Sequence, residues 1–146
     1  MSKTIPFDTT IEIRDSCLCL HAQRAARALA RRFDDALRPA GLTNQQFSLL
    51  MALNRPEPPT MAPVAQMLAM DRTTLTAALK PLERRGLLRV ESRPDDRRSR
   101  HIVLTAAGHA VLAQAVPIWR ETHASIEADL AGVDPDQLRI GLRTVA

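Results

Sequence analysis

Residues 71–105 read DRTTLTAALKPLERRGLLRVESRPDDRRSRHIVLT, and the order of signals in that run leaves few folds open. Leu75, Ala78, Leu79 and Leu82 fall on one helical face. Gly86 then stops the helix, and two short apolar strands at 87–92 and 101–105 enclose a polar tip at 93–100. The run carries nine Lys or Arg against five Asp or Glu, a net +4 that equals the net charge of the whole chain. The rest of the chain is therefore balanced. A basic field confined to one helix and one loop is the footprint of a polyanion-binding surface rather than of general solubility.

Composition narrows the polyanion. Tyr is absent and aromatics make up 3% of the chain, which argues against recognition of single strands or RNA by stacked bases. Double-stranded DNA is the expected partner. The basic residues are 18 Arg and two Lys, and Arg suits bidentate contact with phosphate and guanine, although genome composition can produce the same bias. A chain of 146 residues, 45% apolar and 25% charged, fits one domain with a sizeable core. No apolar run reaches the ~18 residues of a membrane span, and MSKTIPFDTT lacks a signal-peptide core. A cytoplasmic protein without membrane contact is expected. Cys17 and Cys19 are too close for a disulfide framework, which suits a reducing compartment.

Helices dominate the remainder. Leu18, Ala22, Ala25, Ala26, Leu29, Phe33, Ala36 and Leu37 form one face of a first helix at 11–38, with Arg24, Arg27, Arg31 and Arg38 on the other. Pro39 and Gly41 end it. Thr43 and Gln46 form a capping box, with Leu42 and Phe47 as its staple, for a second helix that stops before Pro56. Thr60 caps a third helix at 61–69 with Val64, Met67 and Leu68 facing inward, and Asp71 caps a fourth at 72–85. These two make a helix-turn-helix candidate. A fifth helix at 106–129 contains Pro117, an expected kink. Asp134 and Pro135 open a last helix reaching about 144. Along the fifth helix Leu112, Val116, Trp119, His123, Ile126 and Leu130 repeat as in a packed seam. Pairing with a second copy of the chain and packing of the first helix on the fifth both account for it.

On the fourth helix Thr73, Thr76, Ala77, Lys80 and Arg84 lie opposite the apolar face. With Arg72 and Thr74 of the first turn they form the expected major-groove surface, small near the N-terminus and long and basic further on. An ordinary amphipathic surface helix is the alternative. In the tip, Arg93, Asp96, Arg97, Arg98 and Arg100 are the expected contacts, with an Arg suited to the minor groove. His21, His101, His109 and His123 lie far apart without metal-ligand spacing, and Cys19, His109 and His123 would meet only if the first and fifth helices packed suitably. No metal and no cofactor is expected. Nor is an enzyme, since no phosphate loop or nucleophile–base motif stands out.

The segments LTNQQFSLLMAL, MDRTTLTAALKPLERRGLL and DDRRSRHIVLTAAG together resemble the MarR family of winged helix-turn-helix regulators, over nearly the whole chain from about Ser16. The resemblance implies a mainly α fold with a small β-hairpin wing. It divides the chain into an N-terminal dimerisation helix at 1–42, a winged helix-turn-helix at 43–105 and C-terminal dimerisation helices at 106–146. It further implies a homodimer on a pseudo-palindromic operator, the fourth helix in a major groove and the wing in a minor groove. The family's wing pattern falls on Asp96, Arg98 and Ser99, making Arg98 the minor-groove residue and Asp96 its orienting partner. A repressor released by a small apolar or aromatic effector follows, with Cys19, Phe33, Phe47, Met51 and His123 as the expected effector pocket; Phe33, Phe47 and Met51 also suit the core, and His123 a core or dimer interface. Cys19 also falls where the family's organic-hydroperoxide sensors carry a reactive cysteine, although the Tyr residues that accompany it there are missing. A redox sensor and a buried small apolar side chain are both open readings of Cys19. A winged helix used for protein interaction without DNA readout is the alternative of another class.

Overall fold

The computed structural model describes residues 3–96 and 98–146, which fall into two compact units divided between Arg32 and Phe33. The expected contact Arg97 lies outside the described residues.

The first unit holds helix α1, Phe7–Ser16, and most of helix α2, Leu18–Leu37. The single helix expected at 11–38 thus starts earlier and breaks once. The break is at Cys17, whose ψ of 110° is extended. Two local bonds explain it. Ser16 Oγ donates back to the Glu12 carbonyl, ending one helix, and Cys17 Sγ accepts from Leu20 N–H at 3.4 Å in the manner of an N-cap, starting the next. Within the single chain Cys17 is half-buried, whereas Cys19 is exposed. Phe7, Ile13, Leu18 and Leu29 are also exposed, Leu18 to 78%. The expected apolar stripe therefore carries uncovered side chains in the single chain.

The second unit is built on a leucine core. A 3-10 turn, Arg38–Ala40, follows α2 and closes on Gly41 at φ 71°. Thr43 then caps helix α3, Asn44–Leu53, with the expected capping box fully formed, and both staple residues are in the core. Helix α4, Met61–Leu68, ends on Ala69 in the left-handed region at φ 51°. Asp71 caps helix α5, Arg72–Arg84. Strands β1, Leu88–Ser92, and β2, Arg100–Leu104, pair antiparallel from Leu88↔Leu104 to Ser92↔Arg100. Helices α6, Ala106–Ala128, and α7, Pro135–Arg143, complete the chain; Asp134 caps α7 as expected, whereas Thr105, expected to end the second strand, caps α6. The core gathers Leu37, Leu49 and Leu50, Val64, Leu75 and Leu82, Leu88, Ile102 and Leu112 from seven elements.

Two expectations about α4 fail. Thr60 stands at the N-cap position but makes no side-chain cap bond. Its backbone is instead drawn into the sheet, bridging His101 while Ile102 N–H donates to the Pro59 carbonyl at 2.9 Å. Met67 is 62% exposed rather than inward, with its sulfur accepting from Arg55 at 3.7 Å. The root of the hairpin is fixed from a third side. Thr105 N–H donates to the Leu87 carbonyl, Thr105 Oγ1 donates to the Gly86 carbonyl at 2.6 Å, and the same oxygen accepts from Gly108 N–H.

Candidate nucleic-acid interface

Helix α5 divides as its sequence requires. Leu75, Leu79 and Leu82 are buried in the core, and Arg72, Thr73, Thr74, Thr76, Ala77, Lys80 and Arg84 are exposed. The first turn is held rigidly. Asp71 Oδ1 accepts from Thr74 N–H at 2.7 Å and Oδ2 from the Thr74 hydroxyl at 2.8 Å. These bonds hold the Asp71 carboxyl below its ordinary range, the backbone bond foremost. The Thr74 hydroxyl proton is thus spent inside the helix. The Thr76 hydroxyl likewise donates to the Arg72 carbonyl at 2.8 Å, leaving a methyl and an acceptor lone pair facing out. An apolar and acceptor face of this kind matches the methyl of thymine and the amino groups of adenine and cytosine in a major groove.

The tip between the strands is folded back on itself. Arg93 N–H donates to the Ser99 carbonyl and Ser99 N–H to the Asp96 carbonyl, both at 3.2 Å. Asp96 Oδ1 accepts from the Arg98 backbone N–H at 3.0 Å, so its carboxylate fixes the turn through the main chain at Arg98. One hollow is lined by Thr60, Met61 and Ala62 at the start of α4, Arg72 of α5, and Asp96, Arg98, Ser99 and Arg100 of the wing. A second joins Arg72, Thr76 and Lys80 to Arg100. The helix face and the wing therefore border common hollows.

The nine basic residues of the segment separate into kinds the sequence did not distinguish. Arg85 donates to the Gly41 carbonyl at 2.9 Å and Arg89 pairs with Glu91 at 2.9 Å; these two are engaged by other groups of the chain. Among the described residues Arg72, Lys80, Arg84, Arg93, Arg98 and Arg100 have no ion-pair partner. Six cations on one helix and one wing, unneutralised by the protein, are available to phosphates.

Of the expected effector residues, the second unit holds Phe33, Phe47, Met51 and His123. Phe47 is in the core, and Phe33 and Met51 pack against it. Trp119 stacks between Phe47, at 6.4 Å between ring centroids, and His123, at 4.8 Å. Trp119 was not among the expected pocket residues, though its i, i+4 spacing to His123 carries the signal. Glu127 Oε1 lies 3.7 Å from His123 Nδ1 and 2.6 Å from Arg139, which also reaches Asp136 of α7. Cys19, in the first unit, accepts from the Gln23 side-chain amide at 3.2 Å. No cluster of potential metal ligands occurs among the described residues, and no described helix is long and apolar enough to cross a membrane.

Known proteins share this arrangement. The sequence model of the MarR family matches residues 40–99. The Mycobacterium tuberculosis transcriptional regulator MosR, solved in complex with DNA, is 41% identical and superposes with a TM-score of 0.81, over 89% of this chain and 93% of that one. The transcriptional repressor CouR, bound to a 23-mer DNA duplex, is 30% identical with a TM-score of 0.79 over 99% of each chain. The transcriptional regulator HosA of Escherichia coli O111:H- is 30% identical over 95 residues, 65% of this chain and 70% of HosA.

Proposed function

Because this chain belongs to the MarR family, we propose that it is a transcription regulator that binds double-stranded DNA, a cytoplasmic homodimer that represses until a small apolar or aromatic effector releases it. The observation that carries the reading is the set of cations on α5 and the wing without an ion-pair partner among the described residues, four of which, Arg72, Lys80, Arg98 and Arg100, line common hollows. In this reading α5 lies in a major groove. Thr73, Thr76 and Ala77 meet base edges, while Arg72, Thr74, Lys80 and Arg84 meet bases or phosphates. The wing brings Arg93, Arg97, Arg98 and Arg100 to the neighbouring minor groove, and Asp96 holds the main chain at Arg98 in place. Two protomers address half-sites about one helical turn apart. The stacked Phe47, Trp119 and His123, with Phe33 and Met51, suit a flat apolar effector.

The test is fluorescence anisotropy on duplex DNA from the intergenic region beside the coding sequence, over a range of salt. Wild type should bind with an affinity that falls steeply with salt. Arg98→Ala should weaken binding, flatten the salt slope by about one per protomer and relax preference for an A·T-rich flank. Arg89→Ala, which removes a cation already paired with Glu91, should leave the slope unchanged. Salt-insensitive or absent binding by the wild type would refute the reading, and unchanged binding by Arg98→Ala would remove the wing's role.

A second reading, oxidant sensing, draws support from the exposed Cys19 and its amide donor Gln23. An accessible cysteine is what a peroxide oxidises to sulfenic acid. Cys19→Ser should then bind DNA normally yet fail to release it on peroxide treatment; release by the Ser variant would end this reading.

A further inference from the structure

The first unit carries two charge stripes that cannot meet within one chain. On α1, Asp8, Glu12 and Asp15 are spaced by four and then three residues, and all three are exposed. On α2, Arg24, Arg27 and Arg31 are spaced by three and then four, exposed, and line one hollow together with Ala28. Each spacing keeps its residues on a single helical face. No acidic residue occurs between Asp15 and Asp34. Among the described residues Asp8, Glu12, Arg24, Arg27 and Arg31 have no ion-pair partner, whereas Asp15 is paired with Arg14. Left alone, the arginine stripe sets like charges at i, i+3 and i, i+4, which destabilises a helix.

A hairpin within the chain cannot relieve this. Only Cys17 separates the helices, and the hydrogen bonds Cys17 N–H to Ile13 and His21 N–H to Cys17 run through it. A reversal between antiparallel helices needs a loop of at least about two residues. The stripes do match between two chains. Reversed in direction, 31, 27 and 24 repeat the spacing of 8, 12 and 15, so Asp8 faces Arg31, Glu12 faces Arg27 and Asp15 faces Arg24. The residue numbers in each pair add to the same value, the signature of an antiparallel pairing about a two-fold axis, in which i meets j and j meets i. In that register α1, Phe7–Ser16, covers residues 23–32 of the partner, within the part of α2 that belongs to the first unit, and the axis passes between Cys19 and Leu20. Ala28, which lies among the three arginines, is small enough to permit close approach of the helices.

We propose that the first unit is a self-complementary docking surface for a second copy of this chain, in which the acidic stripe of α1 lies antiparallel along the arginine stripe of the partner's α2. The proposal rests on the homodimer reading and adds its register and its selectivity. Rim charges of this kind contribute little affinity but strongly disfavour mismatched partners. The surface therefore selects against related chains that lack the stripes.

Charge reversal at the central pair tests it in the full chain. Each dimer contains the Glu12–Arg27 pair twice, so Glu12→Arg alone and Arg27→Glu alone should each weaken the dimer at least ~tenfold, measured by sedimentation. The two reversals in one chain should return the dissociation constant to within ~threefold of wild type. Mixing the two single variants should give heterodimers, seen by native mass spectrometry, because every contact is then between opposite charges. Equal helix content by circular dichroism shows that the variants are folded. A wild-type dimer with no rescue and no preference for heterodimers would overturn the register while leaving the homodimer reading intact. A monomeric wild type would overturn both.

Discussion

Between α4 and α5 the chain turns on Ala69 at φ 51°, a non-glycine residue in the left-handed region. There the Ala69 N–H donates to the carbonyls of Ala65 and Gln66, and the Met70 N–H closes on Ala65. The turn sets the crossing of the two helices, and the alanine Cβ strains it. Ala69→Gly should raise stability by about 1 kcal/mol in urea unfolding, with affinity for DNA unchanged. Gly108 is the opposite case. A Cβ there would run into the Leu87 carbonyl oxygen and the Leu104 side chain. That oxygen belongs to the main chain and accepts from Thr105, so it cannot step aside. Gly108→Ala should cost about 1–3 kcal/mol by the same measurement. Neither position was legible in the sequence. Nothing local marks Ala69 for a positive φ, and the tightest crowding at Gly108 comes from Leu87, distant along the chain.

Helix starts behave differently, because their signals are local. The capping box of Thr43 and Gln46, the cap at Asp71 and the pair Asp134-Pro135 all read directly from neighbouring residues, and all form. Thr43→Ala should cost about 1 kcal/mol in thermal or urea unfolding. The start of α3 has a second anchor that the sequence hid. Asp34 Oδ1 accepts both the backbone N–H of Asn44, at 2.7 Å, and its side-chain amide, at 2.8 Å. The backbone bond foremost, then the side-chain bond, hold the Asp34 carboxyl below its ordinary range. Its stabilising effect is therefore complete above the ordinary carboxylate pKa and is lost as pH falls through the lowered value. In acid titrations followed by circular dichroism, Asp34→Asn should unfold with a shallower pH dependence than wild type; an unchanged slope would count against the anchor. The break at Cys17 was equally illegible, since no Gly or Pro announces it and a thiol is an unusual cap. So was the bridge of Thr60 to His101, a pairing made across some forty residues.

At the scale of the molecule, the fold class followed from the order of periodic segments and the confinement of charge, whereas the division of labour among the arginines needed coordinates. Arg85 and Arg89 look like their neighbours in sequence but are occupied by Gly41 and Glu91. Apolar side chains remain uncovered at both ends of the chain, among them Phe7 and Leu18, and Ile140, Leu142 and Val145. A partner that covers them binds only the folded form, so the thermal midpoint should rise with protein concentration. A midpoint independent of concentration from ~1 to ~100 μM would argue against such a partner. The knot at Thr105 has a mechanical corollary. Its hydroxyl ties the end of α5 to the first turn of α6 with no intervening loop, and α6 is a rod of about 35 Å. A tilt of about 10° would sweep its far end through roughly 6 Å. Through the bonds at Thr105 that tilt would reach the threonine-bearing helix as a rotation, as the handle of a key turns its bit.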